Sequence, residues 1–230
     1  MDNRYYFSEQ KDNFIIISGG EAQHLCKVRR CKVGDEIVAF NGDGFDYKLK
    51  VESLEKDKVK CSILSKETNR ASGESEIVVY LAMIKNDALT TAIDNLAELN
   101  VKEVKLFQSD YSVAVIDEKK LDKLNNISIQ ASKQSERADI MKVSIIKKLD
   151  IEKDIAKYQN RFFAYEDSTN KIPAFKGSFA TIIGPEGGFS KEENAHFSSF
   201  CNNVSLSKTI LRAEVACVVA VSSLKAVQLW

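Results

Sequence analysis

The chain of 230 residues holds only 2 prolines, 10 glycines, 2 histidines and 1 tryptophan. So little proline and glycine excludes collagen-like and proline-rich architectures. Lysine plus arginine number 33, as do aspartate plus glutamate, and the formal net charge is zero. That balance excludes a polycation that coats nucleic acid without selectivity; any polyanion site needs charge concentrated locally. Long hydrophobic runs are also missing. The longest apolar stretch near the C-terminus, residues 215–221, falls far short of the ~20 residues that span a bilayer. The N-terminal MDNRYYFSEQKDN has no apolar segment behind a basic start, so no secretory signal is expected. Cys26, Cys31, Cys61, Cys201 and Cys217 form no C-x-x-C and match no zinc module, and His24 and His196 alone suggest no metal centre. The expectation is reduced, mostly buried thiols in a cytoplasmic protein. What is present is a hydrophobic fraction of 44%, enough for a real core. The length suits one large domain or two small ones.

The first 70 residues read as short strands with turn punctuation. Residues 14–17, 36–40, 47–51 and 59–63 have strand patterning, and Asn41-Gly-Asp-Gly44 is a strong turn signal. One short helix is expected over 21–30, and the set suggests a small β-barrel. The polar stretch 69–75 reads as a linker. Beyond it strands alternate with helices: strands at 77–84, 104–107, 143–146, 161–165, 179–183 and 204–206, helices at 89–99 and 127–138. This alternation predicts an α/β domain with a mostly parallel sheet. A last helix from about Ala213 has almost no polar face, which predicts burial in a core or a subunit interface.

Four segments could carry chemistry. An apolar strand runs into Gly184-Pro-Glu-Gly-Gly188, and Ser190-Lys-Glu-Glu193 has capping-box spacing. Glycines let backbone amides approach a ligand, and the same residues also suit a plain turn. No Gly-Lys-Ser/Thr follows, so a P-loop is excluded, and the spacing fails the Rossmann fingerprint. In Leu206-Ser-Lys-Thr-Ile-Leu-Arg-Ala-Glu214, Arg212 and Glu214 stand at the start of the apolar helix. They form either a cap or surface pair, or a ligand contact for which guanidinium is well shaped. Residues 21–32 gather Lys27, Arg29, Arg30 and Lys32 near His24, either as a solvated basic face or as a phosphate-binding one. The polar helix end 130–137 is the fourth.

Ile183-Gly-Pro-Glu-Gly-Gly-Phe-Ser190, followed about 20 residues later by Ile210-Leu-Arg-Ala-Glu-Val-Ala216, resembles the paired signature loops of the RsmE family of bacterial ribosomal RNA methyltransferases, of the SPOUT class. The resemblance spans the chain. Arg4-Tyr-Tyr-Phe7, the His24 to Arg30 stretch, Gly34-Asp35 and Gly42-Asp-Gly44 resemble the family's N-terminal part. Lys85, Glu98-Leu99, Ala131-Ser-Lys-Gln-Ser135 with Arg137, and Tyr165-Glu166 resemble its middle. The chain departs from the pattern where Asn86, Asn100, Glu136 and Ser207 replace glycine, Thr209 replaces a basic residue and Val215 replaces threonine.

The resemblance implies a PUA-like β-barrel RNA-binding domain over residues 1–70. It implies a SPOUT methyltransferase domain over 74–230, with a trefoil-knotted parallel sheet. It implies S-adenosylmethionine held by Tyr165, Glu166, Ile183, Gly184, Pro185, Glu186, Gly187, Gly188, Leu206, Ser207, Ile210 and Leu211. The implied reaction is methylation of N3 of one uridine in 16S ribosomal RNA, at position 1498 in the usual bacterial count. Arg212 is the candidate cation for the uridine anion and Glu214 a candidate base. Arg4, His24, Lys27, Arg29, Arg30 and Lys85 are the candidate RNA contacts, and a homodimer is expected. Two alternatives stand beside this: a non-catalytic RNA-binding or ribosome-assembly factor with the same fold, and a SPOUT enzyme acting on another RNA.

Overall fold

The computed structural model describes residues 4–71, 76–115 and 117–229. Residues 72–75 of the expected linker lie outside the described residues. The chain divides into two units, Met1–Glu74 with Ser132–Ile140, and Ser75–Ala131 with Met141–Trp230. Residues 132–140, inside the range assigned above to the second domain, thus cluster with the first.

The first unit contains β1 (Arg4–Tyr6), β2 (Glu9–Lys11), β3 (Phe14–Ser18), α1 (Gly19–Gln23), β4 (Glu36–Phe40), β5 (Phe45–Leu54) and β6 (Lys58–Thr68). They form one sheet in the order β1-β4-β5-β6-β3-β2, with β1 parallel to β4 and the other pairs antiparallel. In β5, Tyr47, Leu49 and Val51 are buried while Lys48, Lys50 and Glu52 are exposed. That period-two pattern lays one face on a core with Ile15, Ile17, Leu25, Val59 and Cys61. Register shifts at Lys48/Leu49 and Val51/Ser53 bend the long β5–β6 ladder, as bulges do. The expected barrel is thus a six-stranded mixed sheet over a single core.

The helix expected over 21–30 differs in kind. After α1 the chain widens into a π turn over His24–Val28, with the Arg29 N–H donating to the His24 carbonyl at 3.0 Å. Arg30 then takes a φ of 53° and the Cys31 N–H reaches the Leu25 carbonyl at 3.1 Å. A non-glycine residue in this region carries about 1–2 kcal/mol of strain.

Arginine also builds the interior of this unit. Arg4 is buried; its guanidinium meets Asp46 at 2.5 Å, donates to the Arg137 carbonyl at 2.8 Å and lies 4.7 Å from the centre of the Phe40 ring. Arg137, 2% exposed, donates through Nε and Nη2 to Asp139 at 3.1 and 3.0 Å. Asn69 Nδ2 bridges Asp46 and the Glu136 carbonyl at 2.7 and 2.9 Å. Lys133 pairs with Glu21 at 2.8 Å.

The second unit contains β7 (Ile77–Ala82), α2 (Asn86–Glu98), β8 (Glu103–Phe107), α3 (Glu118–Gln134), β9 (Lys142–Ile145), α4 (Ile151–Ile155), β10 (Asn160–Ala164), β11 (Phe175–Lys176), β12 (Phe179–Ile183), α5 (Lys191–Phe200), β13 (Asn202–Val204), α6 (Ala213–Val227) and β14 (Gln228–Leu229). Its main sheet is parallel throughout, in the order β13-β10-β12-β7-β8-β9. Every residue of β7 and β12 is buried, as expected of strands covered on both faces. One face packs with Leu89, Ile93, Leu96, Cys217, Ala220, Val221 and Leu224 of α2 and α6, the other with Ile151, Ile155 and Phe197 of α4 and α5.

Two of the residues that replace glycine explain why glycine suits those places. Asn100 has a φ of 60° and Glu136 a φ of 59°. At Asn100 the Val101 N–H reaches back to the Leu96 carbonyl at 3.1 Å, closing the end of α2 through a left-handed residue.

Candidate functional site

Three strands of the parallel sheet end side by side, and the loops after them converge. Tyr165 and Glu166 follow β10, residues 184–189 follow β12, and residues 205–211 follow β13. Ligands of open α/β sheets bind outside such carboxyl ends. A cleft opens there in the second unit, walled by these loops and by Ala213 and Ala216 of α6. Every residue expected to hold the cofactor lines it except Gly187.

The first wall is held from both ends. The Gly188 N–H donates to the Pro185 carbonyl at 3.0 Å, making a tight turn, and Gly188 takes a φ of 70°. Glu186 is exposed and accepts the Lys85 N–H at 3.1 Å, which ties the turn to the start of α2. Downstream the capping box forms as the spacing predicts. Ser190 Oγ accepts the Glu193 N–H at 3.2 Å, and Glu193 Oε2 accepts the Ser190 N–H at 3.1 Å. Each glycine has its own reason. A Cβ at Gly184 would lie 2.9 Å from the Phe189 ring, and one at Gly188 3.3 Å from Glu166 Oε1, across the cleft. A Cβ at Gly187 would press on Tyr111 Cβ at 3.3 Å instead. Gly187 therefore faces away from the cleft, and a side chain there would not enter the ligand space.

The second wall is a polar loop locked by its own hydroxyls. Ser207 Oγ accepts the Thr209 N–H at 3.1 Å and lies 2.9 Å from Thr209 Oγ1. The Ser205 hydroxyl donates to the Ser207 carbonyl at 3.3 Å. The two departures at 207 and 209 thus act on each other, a serine supplying the turn contact that glycine cannot make. Leu206 and Leu211 are half-buried, whereas Ile210 is 90% exposed. The Tyr165 ring stacks on Phe163 at 5.5 Å and its hydroxyl donates to Asp167 at 3.2 Å.

Sequence reasoning missed Ala164, Phe189, Asn194, Ser205, Lys208, Thr209, Ala213 and Ala216 as cleft residues. Lys208 and Thr209 sit inside a segment already singled out and could have been read from it. Asn194 stands one turn into α5, and only the folded chain brings it here.

The remaining candidates fall elsewhere. Arg212 is exposed at the N-cap of α6, beside the cleft rather than in its lining, with Glu214 half-buried in the first turn. Lys85 is exposed at the N-cap of α2. In the first unit, Lys27, Arg29, Arg30 and Lys32 are exposed, and His24 is half-buried with its ring 6.0 Å from that of Tyr5. Arg4 is a correction. Its charge is committed to Asp46 and the Arg137 carbonyl, so it serves the interior of the first unit rather than a surface for RNA.

The cleft suits S-adenosylmethionine on the chemistry of its walls. Gly184, Pro185 and Gly188 offer close backbone approach, and Ile183, Leu206 and Leu211 offer apolar cover for an aromatic base. The carboxylates of Glu166 and Glu186 suit a cationic ligand. Among the described residues Asn194 Oδ1 has no hydrogen-bond partner.

Comparison with known proteins agrees with this geometry. A family model described as an RNA methyltransferase domain matches residues 72–225, and one described as an RNA methyltransferase PUA domain matches 17–64. The ribosomal RNA small subunit methyltransferase E of Bacillus subtilis is 31% identical over 227 residues, covering 90% of this chain and 88% of its own. Its namesake from Rickettsia conorii is 27% identical, covering 97% of this chain and 95% of its own. A Legionella pneumophila protein solved with bound S-adenosylmethionine superposes with a TM-score of 0.87 at 27% identity, covering 99% of this chain and 98% of that one. With the two loops in one cleft of a parallel α/β unit, and these matches running nearly end to end, the chain belongs to the ribosomal RNA small subunit methyltransferase E family.

Proposed function

We propose that the protein transfers the methyl group of S-adenosylmethionine to N3 of a single uridine of 16S ribosomal RNA in the small subunit. The observation that carries this reading is the convergence of the 184–189 and 205–211 loops on one cleft at the ends of β12 and β13. The Bacillus subtilis relative and the Legionella structure with its ligand support it.

The cofactor supplies an electrophilic methyl on a sulfonium. The chain's own task is alignment and charge. Gly184, Pro185 and Gly188 present backbone to the ligand, with Ile183, Leu206, Ile210 and Leu211 around the adenine; Tyr165, Glu166, Glu186 and Ser207 complete the wall. Holding N3 in line with the methyl contributes several kcal/mol by positioning alone. N3 of uridine carries a proton that must leave. Arg212, exposed at the cleft's edge, stabilises the uridine anion, and Glu214 in the next turn is the candidate acceptor. The target base leaves its stack to reach the cleft.

The first unit docks RNA through its exposed Lys27, Arg29 and Arg30 with His24 beside them, and Lys85 meets phosphate on the catalytic unit. The protein works in the cytoplasm as a homodimer. Among the described residues no helix is long and apolar enough to cross a membrane. On α6, Val218 and Val219 are only half-buried and Val215 is 42% exposed, an apolar strip that a second copy would cover. A monomeric mass by light scattering at micromolar concentration would refute the dimer. The reaction is tested by mass spectrometry of 16S RNA from cells with and without the gene. N3-methyluridine should disappear with the gene; its persistence refutes the reading.

A further inference from the structure

The 184–190 loop is braced on the side away from the cleft by residues far away in sequence. Glu193, 3% exposed at its side chain, accepts the Asp110 N–H at 2.9 Å and the Lys148 ammonium at 2.9 Å through Oε1. Asp110 accepts the Ser190 hydroxyl at 2.6 Å through Oδ2 and pairs with Lys148 at 2.5 Å through Oδ1. Asp110 itself stands on a turn closed by Ser109 and Ser112, whose hydroxyls lie 2.8 Å apart. The next residue, Tyr111, is the one that a side chain at Gly187 would strike.

We propose that Lys148 is a positioning residue for the cofactor cleft: by holding Asp110 and Glu193 together, it fixes the base of the glycine turn that meets S-adenosylmethionine. This rests on the reading of the cleft as the cofactor site. Lys148 is not part of the cleft lining; it acts through the two carboxylates that it bonds. Without its ammonium, a buried carboxylate and a neighbouring one lose their shared cation, and two charges of one sign face each other. Relief comes from the Asp110 turn moving away, which frees Ser190 and removes Tyr111 from behind Gly187. The charge states agree with the geometry. Burial works against the Lys148 ammonium, but the bonds to Asp110 and Glu193 win and raise its pKa, while the bonds from Lys148 and Ser190 lower that of Asp110.

The test is calorimetric titration of S-adenosylmethionine into the full-length protein, with methyl transfer to small subunits lacking the modification. Lys148→Met should weaken cofactor affinity about 10-fold, the scale of a lost charge-assisted bond. Turnover at saturating cofactor should stay within about 2-fold, and Lys148→Arg should restore affinity. Tyr80→Phe removes a hydroxyl bonded to Asp154 elsewhere in the same unit and controls for general destabilisation. It should leave affinity unchanged. Wild-type affinity in Lys148→Met, or an equal loss in Tyr80→Phe, overturns the proposal. If Lys148→Met does not fold, Ser190→Ala, which cuts only the hydroxyl links, should weaken binding about 3-fold, and unchanged affinity there overturns the proposal too. Failure of the wild-type protein to bind the cofactor would instead overturn the reading of the cleft.

Discussion

Gly188→Ala probes the cleft at the point where backbone geometry alone sets the cost. Gly188 has a φ of 70°, in the left-handed region where a Cβ costs about 1–2 kcal/mol. The added methyl would also lie 3.3 Å from Glu166 Oε1. Glu166 is exposed, so its carboxylate yields cheaply and the backbone term dominates. Where that energy is felt depends on the loop. If the free loop relaxes away from the strained geometry, the cost falls on binding, and 1–2 kcal/mol weakens S-adenosylmethionine about 5- to 30-fold. If the brace keeps the loop in place, the same energy falls on folding. The sum of the two is therefore the quantity to measure. Calorimetry gives the binding part and urea unfolding the folding part, using one preparation of wild type and variant. A Gly188→Ala protein that stays within about 0.5 kcal/mol of wild type in both refutes the geometry drawn for this turn.

Three further outcomes are expected. Arg212→Ala should retain RNA affinity while turnover at saturating RNA falls about 10²-fold; Arg30→Ala should keep cofactor binding and reduce the salt dependence of RNA binding by about one ion. Measuring both variants side by side checks the division of labour, and full turnover in Arg212→Ala sinks it. Glu136→Gly should stabilise the protein by up to about 1 kcal/mol, because φ is 59° there and the ion pair with Arg70 that it removes is long, at 3.7 Å, and exposed; urea unfolding with no gain or a loss contradicts the strain argument. Burial pushes the Asp154 carboxyl up, but hydrogen bonds from Lys105, Tyr80 and Lys157 prevail and hold it at about 2, below its ordinary 3.8. A depressed carboxylate stabilises the fold above its unfolded value and loses that contribution as pH falls through the folded one. Acid titration of stability should therefore show a loss between about pH 4 and 2 that Asp154→Asn lacks, and superimposable slopes for the two proteins would count against the pairing.

The elements that could be read from the chain were those whose apolar residues form a block with clear ends. Residues 36–40 and 179–183 are strands with the expected bounds because they are apolar blocks between turn residues. By contrast β1 and β2 have three residues each, too few for any alternation to register. The first half of α3 was missed because Glu118 to Asn126 is mostly charged or polar, and α4 has only five residues. In the site, glycine density and the capping box made the 184–190 loop legible from its residues alone. The Lys148 brace was invisible for a different reason. Its partners are 38 and 45 residues away, and nothing local to Lys148 distinguishes it from other lysines. The glycine replacements at 100 and 136 marked left-handed residues, yet only the backbone angles reveal that meaning.

The first unit borrows residues 132–140 from far along the chain, and this has a consequence for how the protein is made. Arg4 leaves the ribosome well before the Arg137 carbonyl that its guanidinium meets, which comes more than a hundred positions later. Until residues 132–140 emerge, Asn69 lacks the Glu136 carbonyl and Glu21 lacks Lys133. Domains commonly fold in order from the N-terminus during synthesis. Here the unit that begins first cannot finish first: it waits, partly assembled, until translation has passed the end of α3. A gene fragment ending near residue 70 would therefore encode a protein missing part of its own interior, and the two units are to be expressed together or with residues 132–140 grafted back.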